Sequence, residues 1–436
     1  MIITFKHIVA IILMFLYIYK ISYSFFPFSS TVIFGIFGLL WFLLRLMSNK
    51  IFPIIDKTII IFLLLLLSIG TVSTISLFIN NTVDIKFISY MFSQIAILFA
   101  SYFVVKILKK IKYKLDFEIL VKLIINVIFI QSIIALSMFL IPDLKEFLLG
   151  LENLTTKELA RINSFSGFRI YGVGLSKTFL AGVYNGYALI LIAILFRLYR
   201  FSLKGLSFLS LKFTIILLVG MMMARTTLAG ALIAIIIILI PRDLKATLTI
   251  FKKRILFFTI AILIPIGIVS ALFIILPSFE ILAGDALRYG FEMFINLNES
   301  GSFETESSNE LMKLYVLPNN IQTYIIGDGY FADPIKVGSY YMHTDIGYLR
   351  LIYYFGGIGL SFYLAMQIYL IVKAYSVFNI GKGFYIFIIV YFMILNLKGF
   401  TDLLAVHIIF IMVYLLNKDR DLKISSSHLI RKNKRF

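Results

Sequence analysis

An all-α, polytopic membrane protein is the fold class this sequence predicts, and three observations predict it. Of the 436 residues 61% are hydrophobic, and mean hydropathy is +0.99. A soluble domain is about half apolar, so lipid has to solvate much of this surface. The apolar residues also come in runs of about 20, the length that crosses a bilayer as a helix. Finally, a net charge of +19 is gathered between those runs rather than along them.

Taken in order, the candidate spans are 7–24, 28–47, 58–79, 87–107, 118–141, 179–197, 206–224, 226–241, 255–277, 346–372, 382–398 and 401–417, about twelve in all. The first follows Lys6 and has no small-x-small cleavage site behind it, so it reads as an anchor rather than a signal peptide. With the N-terminus in the cytoplasm, the inside connections carry Arg45, Lys50 and Lys57; Lys106, Lys109, Lys110, Lys112 and Lys114; Arg197, Arg200, Lys204 and Lys212; Arg242, Lys245, Lys252, Lys253 and Arg254; Lys373 and Lys382. The tail 418–436 adds Lys418, Arg420, Lys423, Arg431, Lys432, Lys434 and Arg435. The opposite side is poor in basic residues for its length. This positive-inside asymmetry predicts an inner-membrane protein with both termini cytoplasmic.

Residues 213–240 are a single apolar run interrupted by Arg225, Thr226 and Thr227. As one helix the run would be about 42 Å long, and one crossing would put the basic segment 242–254 outside. The basic flanks require an even number of crossings, so two short helices meet near Arg225. Being short, they would turn below the outer surface, with Arg225 facing a water-filled cavity.

Two segments on the outer side are long, 142–178 and 277–345. The second, a large periplasmic loop between the ninth and tenth spans, holds ten carboxylates, and its Ser/Asn-rich stretch 300–310 reads as mobile. Within it, 285–296 has helical periodicity, with Leu287, Phe291, Phe294 and Ile295 on one face.

Several kinds of chemistry are excluded or unsupported. With no cysteine there is no disulfide, thiol nucleophile or Cys-based metal site. The four histidines, His7, His343, His407 and His428, have no metal-ligand spacing. There is no GxxxxGK[ST] loop for a nucleotide, and no basic, aromatic-interleaved patch for nucleic acid. No cofactor is expected, and the lipid bilayer is the first partner.

Ionisable groups at the membrane edge are costly and so are functional candidates. Arg169 lies just before a span in GFRIYGVGLSKTF, where Gly167, Gly172 and Gly174 would let backbone approach a ligand. The plainer reading is an interfacial arginine that snorkels to headgroups; for Arg161 the plainer reading is preferred. Arg225 is the strongest single candidate, because a stop charge belongs on the cytoplasmic side. Arg288, in GDALRYGFEMF, taken alone reads as a solvated helix charge. His343 stands at the entrance of a span, where an imidazole suits general-base work. Asp345 would orient it or cap the helix, and the cap is preferred. Gly327-Asp328-Gly329 is a glycine turn that would position the histidine.

Together, Arg169, Arg225, Arg288 and His343 make three guanidiniums and one imidazole on the outer face. Arginine binds phosphate bidentately and stays charged. A lipid-linked pyrophosphate fits such a site: the arginines would stabilise the leaving group, and His343 would take a proton from an attacking sugar hydroxyl.

The same residues resemble the bacterial O-antigen polymerase (Wzy) and O-antigen ligase superfamily of membrane glycosyltransferases. Arg169-x-x-Gly172 looks like that family's Arg–Gly motif, and Arg225 like its second arginine. Arg288, Gly327–Phe331, His343 and Gly356-Gly357-Ile358-Gly359 follow the order of its large periplasmic loop and next helix. The resemblance covers nearly the whole length, mostly as topology. It implies metal-independent transfer of a glycan from undecaprenyl pyrophosphate, with Arg169, Arg225, Arg288, Gly172 and Asp345 on the substrate and a chain-length-regulating co-polymerase as a partner. After Gly172 the chain reads VGLSKTFLAG, without the ligase-like Asn-Pro-Asn. His343 is followed by Thr-Asp-Ile-Gly-Tyr-Leu. Both features favour a polymerase, whose acceptor is a lipid-linked repeat unit, over a ligase acting on lipid A core. A flippase or other transporter of lipid-linked oligosaccharide is the alternative of another class. Such a protein would carry polar residues at mid-membrane, whereas the unusual charges here cluster outside.

Overall fold

The computed structural model describes residues 5–47, 57–111, 113, 115–164, 169–177, 179–240, 252, 254–261, 263, 267, 278–336, 338–376 and 383–415. Among these the regular structure is helical, with only isolated β-bridges such as Ser22–Ser29 and Ala332–Tyr340. In chain order the helices are α1 (Phe5–Tyr19), α2 (Ser30–Met47), α3 (Lys57–Asn80), α4 (Lys86–Lys110), α5 (Phe117–Leu140), α6 (Pro142–Gly150), α7 (Thr156–Ser164), α8 (Phe179–Leu198), α9 (Leu203–Met223), α10 (Thr227–Leu239), α11 (Ser278–Ser300), α12 (Glu306–Lys313), α13 (Ile321–Ile325), α14 (Gly347–Ser376), α15 (Phe384–Lys398) and α16 (Leu404–Leu415).

Seven of these helices, α2–α5, α8, α9 and α14, are long and apolar enough to cross a membrane. The apolar helices α1, α10, α15 and α16 are shorter. Most of the candidate span 255–277, most of the basic segment 242–254 and the tail 418–436 lie outside the described residues; 254–261 are helical. The first span ends earlier than its hydropathy implies: Lys20 takes a left-handed φ of +46° after α1, and the chain turns away.

Small residues let the helices approach. A Cβ on Gly230 of α10 would lie 2.2 Å from Gly186 Cα of α8. With no hydrophobic effect between helices in lipid, such backbone contact supplies the dispersion energy of association. α8 is the centre of the bundle, with Ala181 through Leu195 all buried. Polar side chains tie distant helices: Tyr17 of α1 shares a hydrogen bond with Ser101 of α4 at 2.7 Å and donates to Leu404 O of α16 at 3.1 Å.

The expected break at Arg225 is present. α9 ends at Met223, Ala224 is extended, and α10 begins at Thr227. α14 contains a second break. Gly356 sits at φ +68°, ψ −172°, a region essentially reserved for glycine. The carbonyls near the break bond elsewhere. Tyr353 O accepts Asp328 N–H at 2.6 Å, while Tyr354 O accepts Gly329 N–H at 3.1 Å and Ser76 Oγ–H at 2.7 Å. The Gly327–Gly329 turn, with φ of +82° and +74° at its glycines, is therefore docked on the kink of α14. Asp84, between α3 and α4, continues this attachment by accepting Phe331 N–H at 2.8 Å and Ala332 N–H at 3.0 Å.

The two long segments hold helices rather than open loop. Within 300–310, expected to be mobile, Thr305 and Ser308 form a reciprocal capping box that starts α12. Asn296 of α11 donates to Glu304 O at 2.8 Å, closing α11 and α12 into a hairpin. α11 packs on α9 through Ala286 and Gly290, the latter close to the backbone of Met221 and Met222. Phe294, expected on its apolar face, is 44% exposed.

Candidate functional site

At the end of the bundle where α9 turns into α10 lies a cavity of about 1050 Å³. The bundle supplies Arg169 from the segment before α8, Phe179 and Leu180 of α8, Ala224, Arg225 and Thr226 of the α9–α10 turn, Asp345 and Arg350 at the start of α14, and Lys398–Phe400 after α15. The hairpin supplies Asp285, Arg288, Tyr289, Glu292 and Asn296 of α11 and Glu306, Ser307 and Glu310 of α12; Tyr340 completes the lining. Asp285, Tyr289, Glu292 and Asn296 follow an i, i+4, i+7, i+11 spacing, which is one face of a helix.

Three predicted arginines thus meet in one cavity. Arg169 Nε donates to Met223 O at 2.6 Å, which anchors it on the open end of α9. Arg225 is ion-paired with Glu292, and its Cζ stands 4.5 Å from the centre of the Tyr289 ring. Arg169 Cζ is 5.6 Å from the same ring. Arg288 is exposed and lines the hairpin side.

Two cations that the sequence reading did not select join them. Arg350 is only 8% exposed; its Cζ lies 3.9 Å from the Phe331 ring centre and 3.5 Å from that of Tyr340. Lys398, the last residue of α15, is the other. Both lie within or at the edge of apolar runs, and only the convergence of helix ends marks them. Buried polar atoms here lack hydrogen-bond partners: Nε of Arg225, Nε of Arg350 and Oγ1 of Thr226. Unpaired buried donors are costly, and an anionic ligand would satisfy them.

The remaining predicted residues are placed differently. His343 does not line the cavity. It has φ +54°, its side chain is 61% exposed, and Nε2 is 3.9 Å from Oδ2 of Asp333. Backbone amides of Lys336 and Ile335 hold the Asp333 carboxyl below its usual range, and His343 adds to this. Asp345, preferred as a cap, makes no capping bond; Thr344 Oγ1 accepts Ile346 N–H at 3.3 Å, and Asp345 lines the cavity instead. Gly172 is buried away from the cavity, where a Cβ would meet Gln131 Nε2 at 2.0 Å, so its small size serves packing on α5. Gly174, at φ +61°, lies against Tyr19 O in the same way. Gly167 lies outside the described residues. The Gly327–Gly329 turn is not part of the cavity lining; burial, then its Asp328, push the Tyr341 hydroxyl up to about 12.

A second, apolar slot of about 350 Å³ opens beside Val173, between Phe15 of α1, Ile133 and Ile134 of α5, and Leu144 and Leu148 of α6. Only Arg169–Val173, at most about 14 Å of extended chain, separates the arginine cavity from it. Among the described residues, no three His, Asp or Glu side chains converge as a metal-binding set.

Comparison with known proteins yields no match to a family model, a curated protein or a solved structure.

Proposed function

We propose that this chain is a polysaccharide polymerase of bacterial surface glycans, such as O-antigen, that transfers a glycan from undecaprenyl pyrophosphate to a lipid-linked repeat unit. The observation that carries the reading is the cavity in which Arg169, Arg225, Arg288, Arg350 and Lys398 converge with unpaired buried donors. Fixed guanidiniums hold a pyrophosphate and stabilise the charge that grows on it as the bond from the sugar C1 breaks. The electron pair leaves on the phosphate oxygen. The acceptor hydroxyl forms the new C1–O bond, and its proton goes to a base. Two bases stand at the entrance of α14: Asp345 in the cavity and His343 two residues before it. The apolar slot beside Val173 suits the hydrocarbon chain of such a substrate, and its closeness to Arg169 suits an amphiphile with an anionic head.

In this reading the chain crosses the inner membrane about twelve times, with both termini in the cytoplasm and the cavity facing the periplasm. The support for this orientation is the positive-inside asymmetry. A co-polymerase would set chain length. The same cavity serves a ligase equally well, with lipid A core as acceptor.

A transporter of the same lipid-linked glycan is the second reading, favoured by a polar cluster within the bundle. Asp402, before α16, accepts from Tyr90 at 2.8 Å, Gln94 at 3.0 Å and Gln367 at 2.7 Å, and His407 is fully buried. The surface polysaccharide profile of the source strain with this gene deleted separates the readings. Loss of the ladder with a single repeat on the core retained supports the polymerase. Loss of the single-repeat band as well points to ligase or transporter.

A further inference from the structure

The cavity is divided by charge. Its bundle wall carries four cations, Arg169, Arg225, Arg350 and Lys398, against Asp345. Its hairpin wall carries four carboxylates, Asp285, Glu292, Glu306 and Glu310, against Arg288. Glu292 is held by Arg225, and its Oε1 also accepts Glu306 N–H at 2.8 Å, which fixes the start of α12 against α11. Asp285, Glu306 and Glu310 line the same space, and among the described residues none of the three is in an ion pair. They do not converge with the other acids as a metal-binding set either.

We propose that this hairpin wall selects the glycan: it admits sugars next to the pyrophosphate that are neutral or bear an amine, and rejects sugars bearing a carboxylate, sulfate or phosphate. The proposal rests on reading the cavity as a glycan-pyrophosphate site. Ionised carboxylates only accept hydrogen bonds, and sugar hydroxyls or an ammonium supply the donors they need. An acidic sugar placed by its pyrophosphate on the bundle wall would instead face Asp285, Glu306 and Glu310, and like charges repel. Arg288, exposed and single, does not offset three carboxylates.

The test uses the full chain in lipid nanodiscs and three synthetic ligands: a prenyl pyrophosphate, the same lipid bearing N-acetylglucosamine, and the same lipid bearing the corresponding uronic acid. The N-acetylglucosamine ligand is expected to bind at least about tenfold more tightly than the uronic one. Glu306 and Glu310 are exposed, so E306Q/E310Q keeps the fold, to be checked by thermal unfolding, and is expected to narrow that ratio to below about threefold. Equal binding of the two sugar ligands, or a ratio unchanged in E306Q/E310Q, overturns the selectivity proposal. If the bare prenyl pyrophosphate binds and loses affinity in Arg225→Ala, the pyrophosphate reading survives that failure. If it does not bind, both readings fall.

Discussion

Arg225 rests its guanidinium 4.5 Å from the centre of the Tyr289 ring, and the same guanidinium is ion-paired with Glu292 one turn further along α11. The strongest candidate of the bundle wall is thus already held by the hairpin opposite. An incoming pyrophosphate competes with Glu292 for it. Glu292→Gln removes the competitor and is expected to tighten prenyl pyrophosphate binding several-fold. Weaker binding in that variant would mean that Glu292 positions Arg225 rather than competes for it. Titration calorimetry on the detergent-solubilised protein reads this directly.

Arg225→Ala is expected to weaken pyrophosphate binding about 10- to 100-fold, since a hydrogen bond to a charged group contributes about 1.5–3 kcal/mol. Arg225→Lys keeps the charge but loses the planar fork, and should recover only part of that. Full recovery by lysine would show that charge alone matters. Membrane insertion of both variants is checked by fractionation.

His343 and Asp345 make a pair of contrasting expectations. Asp345 lines the cavity, and His343 stands toward Asp333. If the acceptor's proton goes to the group already in the cavity, Asp345→Asn abolishes chain extension and His343→Ala retains a measurable ladder. The opposite pattern would assign the proton to His343 and require the 340–345 segment to rearrange on substrate binding. Normal ladders in both variants would remove this end of α14 from the chemistry.

Gly356 tests the fold of the site. A Cβ there would lie 2.1 Å from Ile325 O, and the backbone at φ +68°, ψ −172° is closed to other residues. Gly356→Ala is expected to cost about 2–4 kcal/mol, measured as a lowered unfolding midpoint in detergent. An unchanged midpoint would mean that the kink is not held by the docked turn.

Asp84 tests the attachment of the large segment. Asp84→Ala leaves the Phe331 and Ala332 amides without their acceptor, at about 1–3 kcal/mol for the buried one. Limited proteolysis between 301 and 336 should accelerate, with the bundle intact. An unchanged cleavage rate would show that the Gly327–Gly329 turn alone holds the segment.

The helical class, seven helices long and apolar enough to cross a membrane, and the break at Arg225 are legible in the residues alone, because lipid demands long apolar runs whose backbone bonds close within one segment. The sequence also marked Arg169, Arg225 and Arg288, since isolated charges beside apolar runs are conspicuous. Which charges share a space follows from the packing of the helices. Arg350 and Lys398 lie 48 positions apart at opposite ends of two helices, and the antiparallel packing of α14 and α15 brings them to one cavity. Asp345 faces that cavity while His343, two residues away, takes a left-handed turn toward Asp333. Hydropathy reports how each residue meets solvent or lipid, whereas a site depends on side-chain directions set by kinks, caps and crossings between segments far apart in the chain.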